Sequence, residues 1–289
     1  MVSVRQYLIG EQGRLRTLWR LAIFAAIFAG GAALLIFLAE QYLDGAPKGS
    51  LARLGAVAIA AAVAVAVARL FLDRRSIASL GVAFGPGAIF DVFFGLFVSL
   101  LIMTAFFVLN LLNGLITVEG LSWWDAGEPD AALFSATLLA LLARYALSAF
   151  WQELVLRGYI FQNLMDGLGK YFAVFSLCAL SVLVNAVTPG ATLSGNIISM
   201  LITLQLVYAY LASGRLWLPM GLHLGWTFAQ GPVFGFPVNG VETPSLIAQS
   251  PAGVELLSGG ADKSILMIPL LIAAFPLIWV YSRGRNKNT

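Results

Sequence analysis

Three short stretches of this chain set ionisable or amide side chains within or beside long apolar runs, where such groups are costly and usually turn toward the interior of a helix bundle. The first is Trp151-Gln152-Glu153-Leu154-Val155-Leu156-Arg157-Gly158-Tyr159. Glu153 and Arg157 stand four apart, so on a helix both project from one face, with the carboxylate N-terminal to the guanidinium, the better order for an ion pair. In a low-dielectric setting an unpartnered member is expensive, so the pair reads first as a structural clamp. The second stretch is Ser181-Val182-Leu183-Val184-Asn185-Ala186, ended by Thr188-Pro189-Gly190. An amide there ordinarily caps a helix or bonds a neighbouring one. The third holds His223, the only histidine, with Thr227 one helical turn later. An imidazole can hold or move a proton near neutral pH, and it serves equally as a satisfied interior polar group.

These residues need elements to carry them, and the composition says which. Of 289 residues, 60% are hydrophobic and 11% charged, against roughly 25% charged in a typical soluble domain. Mean hydropathy is +0.89. The chain therefore reads as all-α, a polytopic membrane helix bundle of about eight transmembrane helices forming one domain over 1–289. The runs are Leu18–Leu38, Leu51–Leu72, Val92–Val118, Ala131–Phe150, Tyr171–Val187, Ile197–Leu211, Leu216–Phe234 and Ile265–Tyr281. Each approaches the roughly 20 residues that span a bilayer. The interval 232–264, rich in Gly, Pro and Ser, is expected to form an irregular cap over the last two spans.

Net charge is +3, but the basic residues flank apolar runs instead of clustering on one face, which argues for topology signals and against nucleic acid as a partner. With the N-terminus inside, Arg5, Arg14, Arg16, Arg20, Arg69, Arg74, Arg75, Arg157, Lys170, Arg215, Arg283, Arg285 and Lys287 fall on the cytoplasmic side, against Lys48, Arg53 and Lys263 outside. Both termini are then cytoplasmic in a plasma or cytoplasmic membrane. The loop with Glu119, Asp125, Glu128 and Asp130, beside Trp123 and Trp124, carries no Lys or Arg and agrees with an outer position. The first run follows a charged stretch and exceeds a signal-peptide core, so it reads as an uncleaved span. Arg144 is the only charge deep in the fourth run, and the sequence names no partner for it. One cysteine, Cys178, and one histidine exclude a disulfide framework and any His/Cys metal cluster.

Taken together and in this order, the three stretches resemble the CAAX protease and bacteriocin-processing (CPBP) family of intramembrane proteases, also called the type II CAAX prenyl endopeptidase or ABI family. The resemblance covers roughly 130–235 and extends to Arg157-Gly158-Tyr159-Ile160-Phe161-Gln162-Asn163-Leu164, Gly214-Arg215-Leu216-Trp217-Leu218-Pro219 and His223-Leu224-Gly225-Trp226. The N-terminal third is similar in layout only, including Asp73-Arg74-Arg75-Ser76 ahead of Leu80-Gly81. The family carries Glu-Glu-x-x-x-Arg, Phe-x-x-x-His and His-x-x-x-Asn or Asp. The resemblance implies a water-activating base where this chain has Gln152, a histidine where it has Asn185, and Asn or Asp where it has Thr227. Gln cannot take a proton at any relevant pH, and Asn cannot shuttle one. Glu153, Arg157 and His223 are the retained motif residues.

Since the losses fall on chemistry and spare the scaffold, peptidase activity is expected to be lost or much reduced. The protein is then a membrane-embedded scaffold for a membrane-anchored or transmembrane protein or peptide. Two other readings stay open. One is an active endopeptidase with a rearranged site, Glu153 acting as base with His223, and Asn185 donating to an oxyanion. Against it, adjacent helical residues diverge by about 100°, so Glu153 is not expected to replace residue 152 without giving up Arg157. The other is a transporter-like bundle whose polar path is lined by Arg144, Glu153, Asn185 and His223. No cofactor is expected; one His and one engaged carboxylate fall short of a zinc site.

Overall fold

The computed structural model describes residues 9, 13–43, 50–122, 131–188, 190–252 and 260–286. Within them the apolar runs become helices: α1 (Thr17–Tyr42), α2 (Leu51–Val67), α3 (Pro86–Leu112), α4 (Ala131–Glu153), α5 (Lys170–Ala186), α6 (Leu193–Ser213), α7 (Trp217–Phe228) and α8 (Met267–Asn286). Three of them run on as wider π-helical turns, α2 over Ala68–Leu72, α4 over Leu154–Phe161 and α7 over Ala229–Val233. α4 then resumes as a regular helix over Gln162–Leu168. Six helices among the described residues are long and apolar enough to cross a membrane, while Lys170–Ala186 is shorter.

Local chemistry sets the boundaries. Ser50 caps α2 by accepting from the Arg53 amide at 3.3 Å, and Thr192 caps α6 by accepting from Gly195 at 3.0 Å, each satisfying an amide the first turn leaves unpaired. Pro86 opens α3, where its missing N–H costs nothing. Gly214, at φ 65°, closes α6 in the left-handed conformation that glycine adopts without penalty.

Three expectations are corrected. The third run does not stay helical to Val118: α3 stops at Leu112, and Ile116–Leu121 forms strand β1. Its antiparallel partner is β2 (Ile247–Pro251), with Ile116 opposite Pro251 and a bulge between Val118 and Gly120. The 232–264 interval is thus partly ordered as a strand, with Ile247, Ala248, Gln249 and Ser250 opposite Leu121, Gly120, Val118 and Thr117; the β-favouring Ile116, Thr117, Val118 and Ile247 suit it, and the surrounding Gly and Pro content obscures it. The fourth run does not end at Phe150 but continues to Leu168 through the π turns. Trp123, Trp124, Asp125, Glu128 and Asp130 lie outside the described residues, as do Lys48 and Pro189.

Among the described residues the interior has two large centres, beside a small cluster of Leu141, Tyr145 and Val238. Phe106, Leu218, Leu222 and Leu271 belong to a core among α3, α6, α7 and α8. Phe24, Leu154, Tyr159, Phe161 and Leu177 belong to another among α1, α2, α4 and α5. α6 and α7 face both, with Leu206 and Leu218 in the first and Val207 and Met220 in the second. The outer surface carries large bare side chains such as Phe93 (65% exposed), Phe97 and Phe175. Such a surface is stable only against lipid tails, and the protein is an integral membrane protein.

Candidate functional site

α7 carries His223, and the site begins with what holds this helix in place. Gly221 and Gly225 lie on one of its faces and press against the backbone of α3. A Cβ on Gly221 would stand 2.4 Å from the Val92 carbonyl oxygen, one on Gly95 2.5 Å from the Leu222 nitrogen, and one on Gly225 2.9 Å from Leu96 Cα. Ser99 Oγ donates to the Leu222 carbonyl at 2.7 Å across the same seam. Glycine here permits a close backbone approach. His223 sits two residues from either glycine, about 200° around the helix, and so turns away from α3 toward α4.

There it meets Glu153. His223 Nδ1 lies 2.8 Å from Glu153 Oε1, and the same oxygen accepts from Arg157 Nη1 at 3.0 Å. Glu153 is fully buried, Arg157 nearly so, and the His223 side chain is 17% exposed. The contact places the Nδ1 proton toward the carboxylate, since an ionised carboxylate can only accept. Glu153 Oε2 and Arg157 Nε are buried without a hydrogen-bond partner. Glu153 is the last regularly helical residue before the π turns that hold Arg157. Single π turns within α-helices recur at functional positions, because the extra residue re-aims the side chains around it.

The sequence separated these roles more sharply than the structure does. Glu153 does not have to give up Arg157 to reach another group; one carboxylate oxygen serves both Arg157 and His223, since α7 brings the imidazole to Glu153 rather than to residue 152. The other motif positions are engaged elsewhere. Gln152 Nε2 donates to Ser148 Oγ at 2.8 Å, one turn back on α4. Asn185 Nδ2 donates to Asn196 Oδ1 at 2.8 Å, joining α5 to α6. Thr227 Oγ1 turns back on its own helix, to the carbonyls of His223 at 3.1 Å and Leu224 at 3.2 Å. Arg144 is half-buried, its guanidinium carbon 5.8 Å from the centre of the Tyr145 ring, a cation–π distance.

No group of three or more His, Cys, Asp or Glu comes together among the described residues. The donors at the site are one imidazole and one carboxylate already bound to Arg157, fewer than the three or four ligands zinc uses.

Beyond the far end of α7, Asp262 Oδ2 accepts from Gln230 Nε2 and from the Asn239 amide, each at 2.9 Å. Burial pushes its carboxyl above the usual carboxylate range, a rise opposed by these bonds and by Trp226. Asp262 went unnoticed in the sequence, where only its place before the last apolar run marks it.

Residues 134–229 match the family model described as type II CAAX prenyl endopeptidase Rce1-like. No curated protein and no solved structure gives a match. The matched segment runs from the start of α4 to the end of α7, so it contains Gln152, Glu153, Arg157, Asn185, His223 and Thr227 together.

Proposed function

Starting from membership of the CAAX protease (CPBP) family, carried by residues 134–229, we propose that this chain is a catalytically silent relative that binds a membrane-anchored or transmembrane peptide in its bundle. Hydrolysis of a peptide bond by this family's chemistry needs a base that takes a proton from water. Gln152 stands at that position, and a carboxamide cannot accept the proton. The observation that carries the reading is the engagement of the two substituted amides: Gln152 is tied to Ser148 and Asn185 to Asn196. Both have become neutral structural groups. Glu153, Arg157 and His223 form a hydrogen-bonded unit that joins α4 to α7. Lys and Arg positions support an orientation with both termini in the cytoplasm.

One observation favours a second reading. The 2.8 Å contact between Glu153 and His223 resembles an acid–imidazole pair in which the carboxylate orients the ring and Nε2 takes the proton from water. In that reading the protein is still an endopeptidase, with His223 as base and Glu153 as the positioning group.

A fluorescent farnesylated CAAX peptide, offered to the purified protein in liposomes, separates the two. The scaffold reading expects saturable binding without cleavage, and cleavage gained only by the variant combining Gln152→Glu, Asn185→His and Thr227→Asn. Wild-type cleavage that disappears in His223→Ala replaces it with the second reading.

A further inference from the structure

The stretch Asp73-Arg74-Arg75-Ser76 ahead of Leu80-Gly81 plays no part in the site described above, yet the structure puts it between the two helices that build that site. Asp73, fully buried, follows the π turns of α2. Its Oδ1 accepts from Arg20 Nη1 of α1 at 2.8 Å, and its Oδ2 accepts from Arg69 Nη1 at 3.0 Å. Asn163 Nδ2, on the continuation of α4, donates to the same Oδ2 at 3.1 Å. Arg69 Nη2 reaches a second residue of that continuation, Gln162 Oε1, at 2.8 Å, and Gln162 in turn hydrogen-bonds the Tyr210 hydroxyl of α6.

The same stretch grips the start of α7. The Leu216 amide donates to the Gly81 carbonyl at 3.1 Å, and Trp217 Nε1 to the Ala83 carbonyl at 2.9 Å. Gly81 lies at φ 83°, and a Cβ there would stand 2.7 Å from the Gly214 carbonyl oxygen. A single segment, residues 73–83, thus holds the far end of the helix bearing Glu153 and the near end of the helix bearing His223.

We infer that Asp73 is a positioning residue for the site: by joining Arg20 and Arg69 to Asn163 it sets the rotation of α4 beyond Glu153, and through it the Glu153–His223 contact. Two features make the coupling direct. Between Glu153 and Asn163 the helix runs through the π turns Leu154–Phe161, which are bonded i to i−5 and so change the direction in which the residues on either side of them project. A pin at Asn163 therefore acts on the same continuous helix that carries Glu153. Asp73 is also the anion that the two buried guanidiniums of Arg20 and Arg69 share, and removing it leaves like charges facing each other in a low-dielectric interior.

His223 is the only histidine in the chain, so its imidazole gives one pair of ring nitrogen resonances, free of overlap. Protein labelled with nitrogen-15 histidine, reconstituted in liposomes, shows whether Nδ1 donates to a carboxylate; Glu153→Gln gives the reference for its loss. In Asp73→Asn we expect the Nδ1 resonance to move toward the Glu153→Gln position while helix content by circular dichroism is retained. Gln205→Ala, which breaks a contact to the Leu271 carbonyl between α6 and α8, is expected to leave the resonance in place. Should Asp73→Asn fail to fold, Asn163→Ala decides, since it removes the neutral donor and keeps the ion cluster. An unmoved resonance in whichever of these two variants folds overturns the inference. The readout involves no peptide, so it fails or holds independently of the proposed function.

Discussion

The seam between α3 and α7 and the seam between α4 and α7 hold one helix by opposite means. Against α3 the helix presents Gly221 and Gly225, and the fit rests on absent side chains, with backbone touching backbone. Against α4 it presents His223, and the fit rests on the imidazole's contact with the buried Glu153–Arg157 ion pair. Shape tolerates no added atom, because the interior has no slack. Charge tolerates small displacements but not the loss of one member. The first seam fixes where α7 stands, and the second gives it something to do.

The comparison breaks most completely at Gly221. In Gly221→Leu the new side chain must occupy the space of the Val92 backbone, which no rotamer can vacate, so α3 and α7 separate. We expect no folded monodisperse protein after extraction in mild detergent, and size-exclusion chromatography checks it.

The next effect is smaller and electrostatic. Glu153→Ala leaves Arg157 and His223 facing one another without their anion, a loss of about 3–5 kcal/mol for breaking one partner out of a buried pair. Thermal unfolding in detergent measures it. Glu153→Ala unfolding within a few degrees of wild type contradicts the picture of α4 held by charge.

The smallest effect concerns the tether beyond the C-terminal end of α7 at Asp262. Its carboxyl is raised by burial, so the folded state binds the proton more tightly than the unfolded chain. That contribution to stability is fully present below the ordinary carboxylate value, near pH 4, and is lost as pH rises through the raised one. Asn keeps an oxygen to accept from Gln230 and Asn239 but has no charge to bury. Asp262→Asn is expected to be within about 1 kcal/mol of wild type at neutral pH, with an unfolding midpoint less dependent on pH above 4. An identical pH profile for the two proteins removes Asp262 as a titrating tether.

How much of this was legible in advance differs from group to group, for physical reasons. The helices could be read because lipid demands long uninterrupted apolar runs. The Glu153–Arg157 pair could be read because its spacing is local. The Glu153–His223 contact could not, since it depends on which way α7 is rotated, and that is decided by glycines on its other face. Arg20 and Arg69 passed as topology signals because a charge at the end of a span looks the same whether it meets headgroups or a buried Asp73; only the four-residue spacing of Arg69 and Asp73 hinted otherwise. The π turns of α4 left no trace, as apolar periodicity barely distinguishes them from the regular helix around them.

The β-ribbon has a consequence for the order of assembly. Ile116 pairs with Pro251, and everything from α4 to α7 lies inside the loop this pairing closes. Closing so long a loop costs entropy that is recovered only when the intervening helices are already packed. The ribbon is therefore expected to form late, after α4 to α7 have packed, and to act as a seal on a finished bundle rather than a nucleus for it.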